Sequence, residues 1–130
     1  SMTLGDVVGT ALLLDEASGT LYYQSGVRDA LHAVDLESWT VARTYRGEIH
    51  ARRLALDRSR NALYVLGHLS GEVFAIDLES GERRWSRRVG GRPHGLARDG
   101  DTLWVNSFAG LFRLHLPTLW GEPEGTKGVE

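Results

Sequence analysis

A pattern repeated three times, about every forty residues, constrains this chain more than any other feature. Leu21-Tyr22-Tyr23 returns as Leu63-Tyr64-Val65, 42 residues on, and as Leu103-Trp104-Val105 after 40 more. Asp15, Asp57 and Asp99 stand 42 apart, and Ala33-Val34-Asp35-Leu36-Glu37-Ser38 returns at the same offset as Ala75-Ile76-Asp77-Leu78-Glu79-Ser80. In the third unit Arg113-Leu114-His115-Leu116 stands where the Asp-Leu pair is due, with His115 only 38 residues after Asp77, so the hairpin before it is shortened. A module of this period cannot bury its apolar surface alone and must stack on its neighbours.

The second unit reads as four strands, Arg52 to Leu56, Ala62 to Leu66, Glu72 to Asp77 and Arg83 to Val89. Their apolar and β-branched runs are separated by turns rich in Gly, Ser, Asn and Asp. The two middle strands are apolar on both faces, so each sheet must be covered on both sides. The fourth, Arg83-Arg84-Trp85-Ser86-Arg87-Arg88, is mostly charged, as an outer edge strand should be. These features predict an all-β chain of β-propeller blades, each of four antiparallel strands, three blades per chain. The expected divisions are a tag scar and lead over 1-7, repeats over 8-50, 51-93 and 94-116, and a flexible Gly- and Glu-rich tail over 117-130 in which an outer strand for the third blade is missing.

The run from Leu63 to Gly81, continued by Val89-Gly90-Gly91-Arg92-Pro93-His94-Gly95-Leu96-Ala97, resembles the YVTN-type propeller repeat over roughly Val8 to Leu116. Ala75-Ile76-Asp77-Leu78-Glu79-Ser80-Gly81, followed by Glu82-Arg83-Arg84-Trp85, is similar to the tryptophan-docking pattern of PQQ-like repeats. That resemblance implies a structural Trp85 packed between blades, with Asp77 and Asp35 as structural turn residues. The first repeat departs from the pattern, with Trp39 at the Gly position and Arg43 at the Trp position. Such repeats specify architecture and leave function open, because scaffolds, binders, lyases, lactonases and quinoproteins share them.

Closed propellers use about four to eight blades, so three blades are expected to close as a six-bladed ring by pairing two chains into a homodimer. A fragment of a longer propeller is the alternative.

Composition narrows the partners. The 130 residues carry 15 Lys+Arg against 17 Asp+Glu, a formal net charge of −2, which offers no basic stripe for a phosphate backbone and no polybasic membrane anchor. No nucleic acid and no membrane partner is therefore expected. There is no cysteine, hence no disulfide, thiolate metal site or thiol nucleophile. No charged and apolar leader follows Ser1-Met2, and the expected compartment is the cytoplasm.

The candidate site is the channel mouth, where inner strands are expected to start near Thr10, Arg52 and His94, with His50 and Arg92 on the rim. Arg keeps its charge and binds carboxylate or phosphate through paired hydrogen bonds, so this ring should prefer a small anion over a metal, and a protein partner is the other expectation. Asn106 keeps the Asn of the YVTN signature, where Gln24 and Leu66 stand in the other repeats. In calcium-dependent lactonase propellers such residues converge on the channel. Pro93-His94-Gly95 resembles the turn before the inner strand of streptogramin-lyase-like propellers, which implies a channel-mouth lyase or hydrolase as the alternative function. No metal-ligand spacing, Gly-x-Ser-x-Gly elbow or phosphate loop occurs. The expectation is a binding and interaction module with no catalytic residues, metal or cofactor, more a non-enzyme than an enzyme.

Overall fold

A computed structural model describes residues 9 to 123. The expected lead over 1-7 and the end of the tail, 124-130, lie outside these residues. The described chain forms three antiparallel sheets in sequence order. The first contains β1 (Gly9–Asp15), β2 (Thr20–Ser25), β3 (Ala30–Asp35) and β4 (Thr40–Arg46). The second contains β5 (Ala51–Asp57), β6 (Ala62–Gly67), β7 (Glu72–Asp77) and β8 (Arg83–Arg88). The third has only β9 (Gly95–Asp99), β10 (Thr102–Ser107) and β11 (Gly110–His115). Each is a meander in which every strand pairs with its sequence neighbour, and the inner strands β1, β5 and β9 pack side by side. The chain is thus a run of three propeller blades.

The repeat extends to irregularities of the backbone. Register shifts fall between Gly9 and Ala11 and between Ala51 and Arg53, and again between Ala33 and Val34 and between Ala75 and Ile76. Each pair is 42 residues apart, so the blades share their β-bulges as well as their strands. The turn after β3 shows the same equivalence, for Gly81 has φ 82° and its first-blade counterpart Trp39 has φ 57°, in a region that L side chains rarely adopt. In the third unit the β9–β10 and β10–β11 turns have two loop residues each, against four in the corresponding turns of the first two blades, and together they account for the shortened offset.

Stacking of the sheets forms the core. Between the first and second blades, Tyr22, Leu31, Ala33 and Tyr45 bury against Leu54, Leu63, Val65, Phe74 and Ile76. Between the second and third, Tyr64, Leu66, Val73 and Ala75 bury against Leu103, Val105, Leu114 and Leu116. Strand β6 is buried along its whole length because both of its faces are covered.

One sequence expectation needs correcting. The tail expected to lack structure from residue 117 instead begins with a short helix, α1 (Leu116–Trp120). Pro117 sits in its first turn, where a missing N–H is harmless, and Gly121 ends it at φ 70°. Leu116, Leu119 and Trp120 pack on the second blade's apolar face. Trp85, at the end of the docking pattern, lies half-buried with ring centroids 5.6 Å from Tyr64 and 6.1 Å from Trp120.

Candidate functional site

The connections between blades and the β2–β3, β6–β7 and β10–β11 hairpin tips meet on one face of the stack. Backbone hydrogen bonds tie them together, from His68 N to His50 O at 3.0 Å, from His94 N to Asn106 O at 3.0 Å and from Phe108 N to Gly91 O at 3.1 Å. Side chains add to this. Glu48 accepts from Ser70 Oγ at 3.0 Å, and Asp29 Oδ1 accepts from Ile49 N at 3.1 Å. Gln24, the first-blade counterpart of Asn106, is wholly buried; its Oε1 accepts from Glu48 N at 3.0 Å while its Nε2 donates to Arg28 O at 3.1 Å. The Glu48 and Asp29 carboxylates are therefore occupied in holding loops.

The structure places the sequence-derived candidates in two groups. Arg92 and His94 come together at Phe108, a residue the sequence did not single out, and Asn106 joins them through its carbonyl, which accepts from His94 N. The Arg92 guanidinium stands 5.5 Å from the Phe108 ring centroid, and the His94 ring meets the same ring edge-on at 6.3 Å. Arg92 itself adopts φ 51°, which turns the chain at this point. The Asn106 side chain lies over Gly95, where a Cβ would collide with its Oδ1. His50 and Arg52 form the second group at the start of β5, both exposed, and His68 stands between the two. Its Nδ1 is 3.5 Å from Pro93 O.

The hairpin tips add an apolar component. Val27, Leu69 and Phe108 project from the three blades at 58%, 69% and 73% exposure. An exposed apolar side chain on every tip, interleaved with guanidinium and imidazole groups, makes an amphipathic rim. Among the described residues no group of three or more His, Asp or Glu side chains could hold a metal ion.

The other structural candidates sit away from this rim. Asp35 and Asp77 each fold a turn, accepting from Glu37 N and Glu79 N at 2.9 Å. Backbone hydrogen bonds from Glu79 N and Ser80 N, with the contact to Arg84 after them, hold the Asp77 carboxyl below its usual range. The arginines of β8 are spread over local tasks. Arg83 lies 3.6 Å over the Phe74 ring, Arg84 pairs with Asp77 at 3.1 Å, and Arg88 donates to Ser70 O at 3.1 Å.

At the opposite end of the inner strands, two of the repeated aspartates, Asp15 and Asp57, pin blades together. Asp15 pairs with Arg58 of the next blade. Asp57, fully buried, accepts from Tyr64 Oη at 2.6 Å, Ser59 Oγ at 2.7 Å and Arg60 Nη1 at 3.0 Å. Arg60 then reaches Asp101 at 3.0 Å and Glu122 at 2.6 Å, joining the third blade and the segment after α1. Burial pushes the Asp57 carboxyl up, but the hydrogen bonds from Tyr64, Ser59 and Arg60 outweigh it and hold the group below the usual carboxylate range.

No protein-family model matches the chain, and no curated protein matches it in sequence. Solved structures do match in fold. Kuenenia stuttgartiensis hydrazine synthase superposes with a TM-score of 0.75 at 17% identity, over 92% of this chain and 37% of that one. The β-propeller domain of Myceliophteria thermophila Cps50 (Swd1) gives 0.67 at 18% identity, over 88% and 37%. A chain of the nidogen/laminin complex gives 0.68 at 15% identity, over 88% and 45%. The chain spans less than half the length of these proteins. At such identities the likeness shows the fold, and the fold is a β-propeller.

Proposed function

We propose that this chain is a binding module built of YVTN-type, PQQ-like propeller repeats that docks an acidic protein segment across its rim of hairpin tips. The observation that carries the reading is Phe108, exposed at the third tip with Arg92 over its ring and His94 at its edge. An apolar anchor beside a fixed cation suits a segment that alternates carboxylate and apolar side chains. Leu69 and Val27 extend the anchor row along the other two blades, and Arg52 adds a further guanidinium, with His50 as a hydrogen-bonding neighbour in sequence. A free small anion would engage the cations alone. The lyase or hydrolase alternative would require convergent ligands or a nucleophile with its base at this mouth.

The test is fluorescence polarisation with a labelled peptide of alternating Glu and Leu, beside calorimetric titration of citrate and Zn²⁺. The reading expects peptide binding that weakens at least tenfold in Phe108→Ala and in Arg92→Ala and weakens as salt is raised. Arg87→Ala, on the outer strand β8, should leave it unchanged. Citrate binding without peptide binding, an absence of both, or Zn²⁺ binding that disappears with His94→Ala would overturn it.

A further inference from the structure

We infer that the open face of the first blade and the open face of the third are two halves of one interface, completed by a second copy of this chain. The repeat itself names the occupant. Leu12, Leu54 and Leu96 are equivalent, each pairing across the sheet with the equivalent residue of the next strand, Tyr23, Val65 and Val105. Leu54 and Leu96 belong to the cores formed against the preceding blade, whereas Leu12 is 65% exposed, with no described blade packed on it. On the other side Leu31, Val73 and Leu111 are equivalent, at 0%, 0% and 70% exposure. Tyr22, Tyr64 and Trp104 form a third set, at 7%, 0% and 36%. Leu31 and Tyr22 share a core with Leu54, and Val73 and Tyr64 share one with Leu96. Twice within the chain, then, a Leu111-type and a Trp104-type residue bury against a Leu12-type residue, and both partners of a third such interface stand open at the ends of the stack.

The first blade's open face carries Leu14, 51% exposed, beside Leu12, and Tyr23 stacks on His32 at 6.2 Å on the same face. The His32 position is occupied in the second blade by Phe74, which is fully buried. Contact of unlike faces is heterologous and must either close or propagate. Two copies supply six blades and three copies nine, and propellers close with about four to eight, so the assembly is a two-chain ring with two identical seams. This assembly is independent of what the rim binds, and its test reads mass alone.

The experiment measures the mass of the 130-residue chain by light scattering at tens of micromolar. The expected value is twice 14.4 kDa. Leu12→Glu spoils one face and Leu111→Arg the other, so each variant alone should have the single-chain mass. Mixed in equal amounts they should recover the double mass, because one seam is then wild-type on both sides and the other sets Glu against Arg. Both residues are exposed in the folded chain, and circular dichroism checks each variant's fold. Leu14→Glu with Trp104→Arg repeats the test at a second pair. A single-chain mass for the parent, a mass of three or more chains, a double mass retained by either variant alone, or a mixture that stays monomeric would each overturn the inference.

Discussion

The indole N–H of Trp120 donates to the phenolic oxygen of Tyr64 at 3.0 Å, linking the helix after the third blade to the middle of the second. The same hydroxyl donates to the buried carboxylate of Asp57, so one oxygen atom connects the C-terminal helix to the aspartate that pins the blades. Tyr64→Phe removes a donor from Asp57 and an acceptor from Trp120 while keeping the ring. Its expected cost is about 1–3 kcal/mol, the penalty of leaving buried polar groups unpaired, read as a lower urea midpoint with an unchanged slope.

Trp85 is expected to respond differently to loss of its N–H and loss of its ring. Its Nε1 is buried and has no hydrogen-bond partner among the described residues, whereas its ring packs on Tyr64 and Trp120. Trp85→Phe should therefore cost under about 1 kcal/mol, and Trp85→Ala about 2–4 kcal/mol, somewhat less than a fully buried ring. Chemical denaturation of the two variants in parallel checks the contrast.

Acid should expose the role of Asp57. Its folded-state pKa lies below its unfolded value of about 3.9, so its contribution is fully present above about pH 4 and is lost as pH falls through the folded value. Asp57→Asn should be less stable than the parent at pH 7, and the gap should narrow at pH 3 and below. Urea midpoints of both proteins at pH 7, 4 and 3 give the comparison.

Gly95 tests the rim without touching a charge. A Cβ there would displace the Asn106 side chain, the flexible end of which can move, so Gly95→Ala is expected to leave the thermal midpoint within about 2 °C while pushing the Asn106 amide out of its place over Gly95. Its Asn106 side-chain amide resonances should shift, and peptide binding at the rim should change with them.

What the sequence made legible was whatever the repeat carries. The strands of the second blade fall within a residue or two of their expected bounds, and the Gly position filled by Trp39 keeps its left-handed backbone. Departures from the repeat were hidden. Helix α1 has a Pro at its start and a Gly at its end, a readable pair of signals, but five residues gave no period to notice. Phe108 was invisible because the shortened hairpin breaks its alignment with Leu69. The contact of Arg60 with Glu122 spans 62 residues of sequence, and no local pattern announces it.

The meander topology also sets how the molecule comes apart. Every sheet is closed by hydrogen bonds between strands adjacent in sequence, and among the described residues the main contacts between blades join immediate neighbours. Stability in such a stack is local, so the order in which amides open to solvent follows the number of faces covered. In a chain held monomeric, amides of β6 and β7 should exchange with deuterium last, those of the first blade earlier, and those of the three-stranded third blade at a rate governed by α1. The helix straps the third blade to the second, so Trp120→Ala should speed exchange in the third blade while β6 and β7 stay slowest.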